Sequence, residues 1–284
     1  MTTQLTPPPA GEARPEQAVQ SEGTRTGTRA LAITISVLGA GALVLAGVGT
    51  AINAVRAATV VESTHTLADV AGIDAIDVDI SRGDLQVRFA GDEATLDVRG
   101  SAEWRLERDG DELVVSNGSD PLDWDFGWDW SWEAQSATLT LPEELAGADL
   151  DVGIEAGRVI AKGRFGEVSF DMGAGSIEIE GTAEALDAQI GAGTAILELA
   201  DVREATLELA AGRLDGTLTG EAPDRLGVDV SAGSMDLTVP DVPYNVMVER
   251  EAGDVDTSAI QQSLDAPRAI DVRVAAGMVE LRAG

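Results

Sequence analysis

An Ala-Gly pair followed by alternating apolar residues recurs along most of this 284-residue chain, as "AGRVIA", "GAGSIEIE", "GAGTAILEL", "AAGRLDG", "SAGSMDLTV" and "AAGMVEL". Taking the glycine of each unit as position zero picks out Gly83, Gly157, Gly175, Gly193, Gly212, Gly233, Gly253 and Gly277. From Gly157 onward the spacings are 18, 18, 19, 21, 20 and 24 residues. Positions −7, −5, −3, +2 and +4 are apolar in 37 of 40 cases, where a hydrophobic content of 44% would fill about 18. The three exceptions are Gly216, Arg250 and Thr257. Two of these fall in the unit of Gly253, which marks that unit as atypical.

Period-two alternation on both sides of a fixed break describes two short strands, each with one buried face. The residue before the glycine is Ala in seven of the eight units. Glycine in second place suits a type II bend, which needs φ > 0 there, whereas tight hairpin turns strain the preceding Ala. A unit of 18 to 24 residues cannot bury its own apolar face, so neighbouring units must stack to complete a shared core. The expected fold is all-β, a β-solenoid of stacked two-strand repeats in which position −5 of one coil lies on position −5 of the next. An antiparallel meander satisfies the same parity, but hairpin proteins favour Asn-Gly or Asp-Gly turns.

Between the first and second units the pattern changes. Ala94 to Gly118 alternates, turns at Asp109-Gly110 and alternates again, which predicts a hairpin that caps the solenoid at its N-terminal end. "SATLTLPEEL" adds a strand ended by Pro142. Within an insertion at 119–135, Trp124, Phe126, Trp128, Trp130 and Trp132 occupy every second position. In an extended segment all five rings share one face. Such a stripe is either a lid over the open end of the solenoid or a contact surface for a glycan, a partner or the membrane interface.

Residues 1–29, with three consecutive prolines and almost no large apolar side chains, read as a disordered cytoplasmic tail. Residues 30–55 contain no charge. Twenty-six uncharged, mostly apolar residues are long enough to cross a bilayer as one transmembrane helix, and longer than the core of a cleaved secretory leader. Arg14, Arg25 and Arg29 precede the span and only Arg56 follows it closely, so the bulk of the chain is expected outside the cell membrane. A linker (56–72) then leads to the extracytoplasmic domain (73–284).

That exported part is strongly acidic, in a chain of formal net charge −31. Such a surface repels phosphate backbones, so nucleic acid is not an expected partner. There is no cysteine, and the one histidine, His65, sits in the expected linker. Neither a hydrolytic triad nor a zinc site can be assembled from this inventory, and no phosphate-binding glycine loop is present. No cofactor, metal site or catalytic residue is therefore assigned. Asp77, Asp79, Asp171, Glu178, Glu180, Asp229, Asp236 and Asp271 alternate with apolar residues and should form a solvated outer face. Calcium between coils would relieve their mutual repulsion, but the glycine-rich nonapeptide that binds it in other solenoids is missing. Arg82-Gly83-Asp84 spells an adhesion tripeptide, which its place at the first corner explains as a turn.

Taken with the single apolar span, "IDAIDVDISRGDLQV", "ATLTLPEEL", "LDVGIEAGRVIA", "VSFDMGAGSIEIEG" and "LGVDVSAGSMDLTV" resemble the bacterial putative-adhesin family, β-solenoid domains of unknown function. The resemblance covers roughly residues 70–284. It implies a cell-surface adhesive or structural module, brings no catalytic residues, and points to a cell-wall glycan or another envelope protein as partner. Similar domains accompany stress regulators in some bacteria, so an envelope-sensing accessory reporting through the N-terminal tail stands as an alternative. A polysaccharide-processing enzyme working with carboxylates alone is a third.

Overall fold

A computed structural model describes residues 62–100, 103–117 and 135–284. The tail, the expected membrane span and the five aromatics of the insertion lie outside the described residues. Among the described residues no helix is long and apolar enough to cross a membrane.

The fold is all-β, with sixteen strands in one sheet. In chain order they are β1 (Glu62–Leu67), β2 (Ala75–Phe89), β3 (Ala94–Arg99), β4 (Arg105–Asp109), β5 (Glu112–Ser116) and β6 (Ser136–Leu141). Four long strands follow: β7 (Asp149–Arg164), β8 (Glu167–Thr182), β9 (Ala185–Ala200) and β10 (Glu204–Thr219). The last six are β11 (Arg225–Val230), β12 (Ser234–Val239), β13 (Asn245–Arg250), β14 (Asp254–Asp256), β15 (Ala269–Val274) and β16 (Met278–Ala283).

Strands β2, β7, β8, β9 and β10 pair in parallel and in register, with Gly83 on Gly157, Gly157 on Gly175, Gly175 on Gly193 and Gly193 on Gly212. Only Phe165-Gly166 separates β7 from β8, and only Ala183-Glu184 separates β8 from β9. Each strand therefore begins directly on the start of the strand before it, so the chain advances by one strand spacing, about 4.8 Å, per unit. Parallel pairing replaces the antiparallel meander in this region. In seven of the eight units every patterned position is buried, Gly216 beside Leu237 included.

The buried parity shifts by one residue at each Ala-Gly, which is why the pattern reads −3 then +2. The expected type II bend is not what makes this corner. Gly157, Gly175, Gly193 and Gly212 have φ between 127° and 149°, well past the roughly 80° of that turn. Strand pairing runs on through the corner, and a Cβ on Gly175 would overlap the carbonyl oxygen of Gly157. Close backbone approach between neighbours, added to the dihedral, requires glycine at this column. The short connections also contribute buried side chains, Phe165, Ala183 and Val202, which the five-position pattern does not contain.

Sequence order breaks down at both ends. At the C-terminal end β11 and β12 pair with β15 and β16, while β13 and β14 pair only on the outside of β15 and β16. The atypical Gly253 unit is thus outermost, not between its sequence neighbours as serial stacking requires. Its composition explains the exchange: Arg250 and Thr257 cannot serve as core, and Val248 is 40% exposed even here. At the N-terminal end β5 and β6 together form a rung on the outer side of β2. Antiparallel strands β4, β3 and β1 follow it outward.

The expected hairpin is present as β4–β5, but its two-residue turn is Gly110-Asp111, with Asp109 paired to Glu112. The preceding strand β3 belongs elsewhere, between β1 and β6. The segment expected to be a linker supplies β1, and His65 is half-buried opposite Leu96 in that strand, not free in a linker.

Candidate functional site

The outer surface of the long strands has two differently charged faces, and the corner glycine divides them. On the first face, position −6 runs Asp77, Asp151, Ser169, Asp187 and Thr206 across consecutive rungs. Position −4 runs Asp79, Gly153, Asp171, Gln189, Glu208 and Asp229. No Lys or Arg stands in either column from β2 to β11. In-register parallel pairing brings these carboxylates to neighbouring rungs without a counter-charge.

Their titration reflects this. The Asp77 carboxyl is pushed up to about 6, first by burial and then by Asp151, Glu112 and Asp79. Burial also raises Asp151, helped by Glu112, Asp171 and Asp187. Asp79 rises through burial and Glu155, and Glu167 through burial, Asp149, Asp187 and Asp151. The expected solvated acidic face is therefore only partly solvated: Asp77 is half-buried between the side chains of flanking rungs, while Asp151 beside it stays exposed. A shallow groove of about 250 Å³ runs beside position −4, where Asp171, Glu208 and Asp229 flank the small residues Gly191 and Ala210.

The second face, built from positions +1, +3 and +5, carries ion pairs. Lys162 pairs with Glu178 at 3.5 Å and with Glu180. Arg213 lies 3.5 Å from Asp215 and 3.7 Å from Asp236, and Arg282 lies 2.7 Å from Glu280. Toward the N-terminal end the same face becomes a polar hollow of about 460 Å³, lined by Arg88, Asp97, Arg99, Ser136 and Thr138 together with Glu62 of β1. There the Arg88 Nε donates to the Thr140 hydroxyl at 3.1 Å, and Arg99 pairs with Glu62 at 3.3 Å.

Among the described residues no group of three His, Cys, Asp or Glu converges on a point that could hold a metal ion. The geometric reason is the register, which keeps carboxylates in parallel columns. Arg82-Gly83-Asp84 sits at the first corner, in register with Ala156-Gly157-Arg158. Trp124, Phe126, Trp128, Trp130 and Trp132 lie outside the described residues, but the described residues on either side of them are informative. Where β7 runs through the corner with the four residues 154–157, the β5–β6 rung carries the whole aromatic insertion between Ser116 and Ser136.

Asn117 closes that rung. Its backbone N–H donates to Asp79 O at 3.2 Å, its Oδ1 accepts from the Ser81 N–H at 2.9 Å, and its Nδ2 donates to Arg82 O. On the far side of the insertion the Asp84 N–H donates to Gln135 O at 3.0 Å. A side-chain amide thus replaces the corner backbone that the other rungs supply. Asn117 is the one buried polar residue among the described residues. Sequence reasoning missed it, although an Asn directly before an insertion in a strand pattern was the available signal.

No family model and no curated protein matches the chain. Solved structures do. It is similar to a putative cell adhesion protein from Clostridium sporogenes, at 11% identity over 80% of this chain and 100% of that one, with a TM-score of 0.39. A putative adhesin from Bacteroides fragilis is 15% identical over 78% of this chain and 96% of its own, with a TM-score of 0.38. Another from Parabacteroides distasonis is 11% identical over 78% and 97%, with a TM-score of 0.37.

Proposed function

We propose that residues 75–283 form a β-solenoid, anchored through residues 30–55 in the cell membrane, that acts as an adhesin-like binding module at the cell surface. The solenoid reading is supported by the in-register parallel pairing of the glycine column, rung on rung. The anchor is supported by 26 uncharged residues with arginines on the N-terminal side. β4 and β5, with β1 and β3, serve as the N-terminal cap of the stack, and β13 with β14 as the other end. Unpaired edges at solenoid termini invite association unless they are covered or charged.

The observation that carries the binding function is the site of the aromatic insertion. The segment with five aromatics at alternating positions leaves and rejoins the sheet at the corner of one rung, where Asn117 and Gln135 on either side are hydrogen-bonded to Ser81, Arg82 and Asp84. Aromatic rings stack on sugar faces and bury large areas at low entropic cost, so a cell-wall glycan is the assigned ligand class. The rest of the surface is acidic and keeps the module soluble and clear of anionic polymers. Binding, not catalysis, is the assigned activity, since the carboxylates stand in parallel columns.

The test uses the full-length chain in detergent and isolated cell-wall glycan. Replacing Trp128 and Trp130 by Ala should remove most of the binding while the β-sheet signal in circular dichroism stays unchanged. Retained binding in that double variant would rule out the aromatic segment as the contact surface.

A further inference from the structure

Four strands of the sheet have a neighbour on one side only among the described residues: β1, β4, β13 and β14. Open edges of this kind are templates for a further strand, and proteins guard them with charge. Three of the four are guarded. Four of the five residues of β4 are charged, β14 reads Asp-Val-Asp, and β13 ends in Glu249 and Arg250, the latter at a position that faces the core elsewhere. β1 reads Glu-Ser-Thr-His-Thr-Leu, with one charge at its very start, and Arg99 already pairs with it at 3.3 Å. It is also a full six residues long, and its backbone makes no hydrogen bond outside its ladder to β3 among the described residues.

We infer that β1 is a dimerisation edge that pairs with β1 of a second copy of this chain. Two like strands related by a twofold axis are necessarily antiparallel, which continues the antiparallel order β6–β3–β1. With the axis through Thr64, each Thr64 meets its counterpart, Ser63 meets the partner subunit's His65, and Glu62 meets the partner subunit's Thr66. No like charges oppose one another in this register, and threonines opposed across strands form a favourable pair. The carboxylate columns do not obstruct it, because they occupy the other face and run away from β1 along the stack. Joining two copies doubles the number of displayed aromatic segments, so a weak glycan contact gains avidity.

The chain has no cysteine, which makes single-cysteine probes unambiguous. In full-length protein in detergent, Thr64→Cys should be trapped as a dimer by a short bismaleimide, while Met247→Cys on the exposed β13 edge should not. Charge reversal at Thr66 supplies a readout that damage to the fold cannot mimic. Thr66→Glu places like charges against the partner subunit's Glu62 and should shift light scattering toward monomer, whereas Thr66→Lys should shift it toward dimer. A monomeric wild-type chain overturns the proposal, as does a dimer indifferent to the sign of the charge at residue 66. The latter outcome would assign association to another part of the chain, and neither outcome bears on glycan binding by Trp128 and Trp130.

Discussion

The four long strands β7 to β10 and the Gly253 unit obey the same motif yet behave as different materials. In the long strands each patterned side chain has a buried neighbour above and below, and each glycine abuts the backbone of the next. In the Gly253 unit the same positions hold Val246, Val248, Arg250, Val255 and Thr257, covered on one side only, and Met247 beside them is 58% exposed. A repeat in a stack therefore gains its stability from having two neighbours more than from its own residues, and the terminal position goes to the unit that can best do without one.

Substitutions that test this contrast should separate widely. The largest effect is expected for Phe170→Ala, fully buried between Val152 and Ala188, at about 3–5 kcal/mol. Val248→Ala at the exposed end should cost under about 1 kcal/mol. Urea unfolding of both variants measures the gap, and equal losses would show that the end is packed like the middle. Gly175→Ala belongs with the large effects, at about 3 kcal/mol or more, because its Cβ would strike Gly157 O and its φ is 127°. Gly91→Ala, with nothing near its Cβ at a φ of 82°, should cost about 1 kcal/mol.

Asn117→Ala comes next. It leaves the Ser81 N–H and Arg82 carbonyl without their partner, for about 1–3 kcal/mol. Hydrogen exchange should rise at Ser81 while the amides of β8 and β9 keep their protection. Loss spread evenly over the molecule would show that the closing amide is not a local device.

The two outer faces should differ in their response to pH. Asp77, Asp79, Asp151 and Glu167 bind protons more tightly folded than unfolded, so folding is favoured when they are protonated. Stability should therefore rise as pH falls from about 7 toward 5, through the Asp77 value near 6. Once solvent screening is discounted, the Asp77 contribution is about 1 kcal/mol. Asp77→Asn should flatten that slope in denaturation curves measured across the range, and an unchanged slope would remove Asp77 as its source. The smallest effect belongs to the ion-paired face, where Lys162→Met should leave the urea midpoint unchanged within error, since the lysine and both partner carboxylates are solvent-screened.

Parity made the all-β class and nearly every core position legible. The residues Val168, Phe170, Met172, Ile177 and Ile179 form one buried set that alternation alone picks out, because alternation in a strand is a local property. The corner was legible as a glycine requirement but not in its cause. A positive φ can be inferred from one chain segment, whereas contact with the neighbouring backbone depends on a residue 18 positions away. The acidic columns were read correctly as outward-facing. Their raised affinity for protons was not, because it arises from which carboxylates become neighbours.

What the chain determines alone is the length of each rung and the side to which each residue points, since both follow from period two and the recurring glycine. Only the tertiary structure decided the order of the rungs. Parallel strands of identical pattern can pair in any sequence that the connections allow, and burial selects among them. The long connection after β14 lets β15 slip inside, so Ile270, Val272 and Val274 gain two neighbours and Arg250 is left at the rim. The long excursion after β2 in the same way builds an outer rung closed by Asn117, a residue whose role exists only once Ser81 and Arg82 lie beside it.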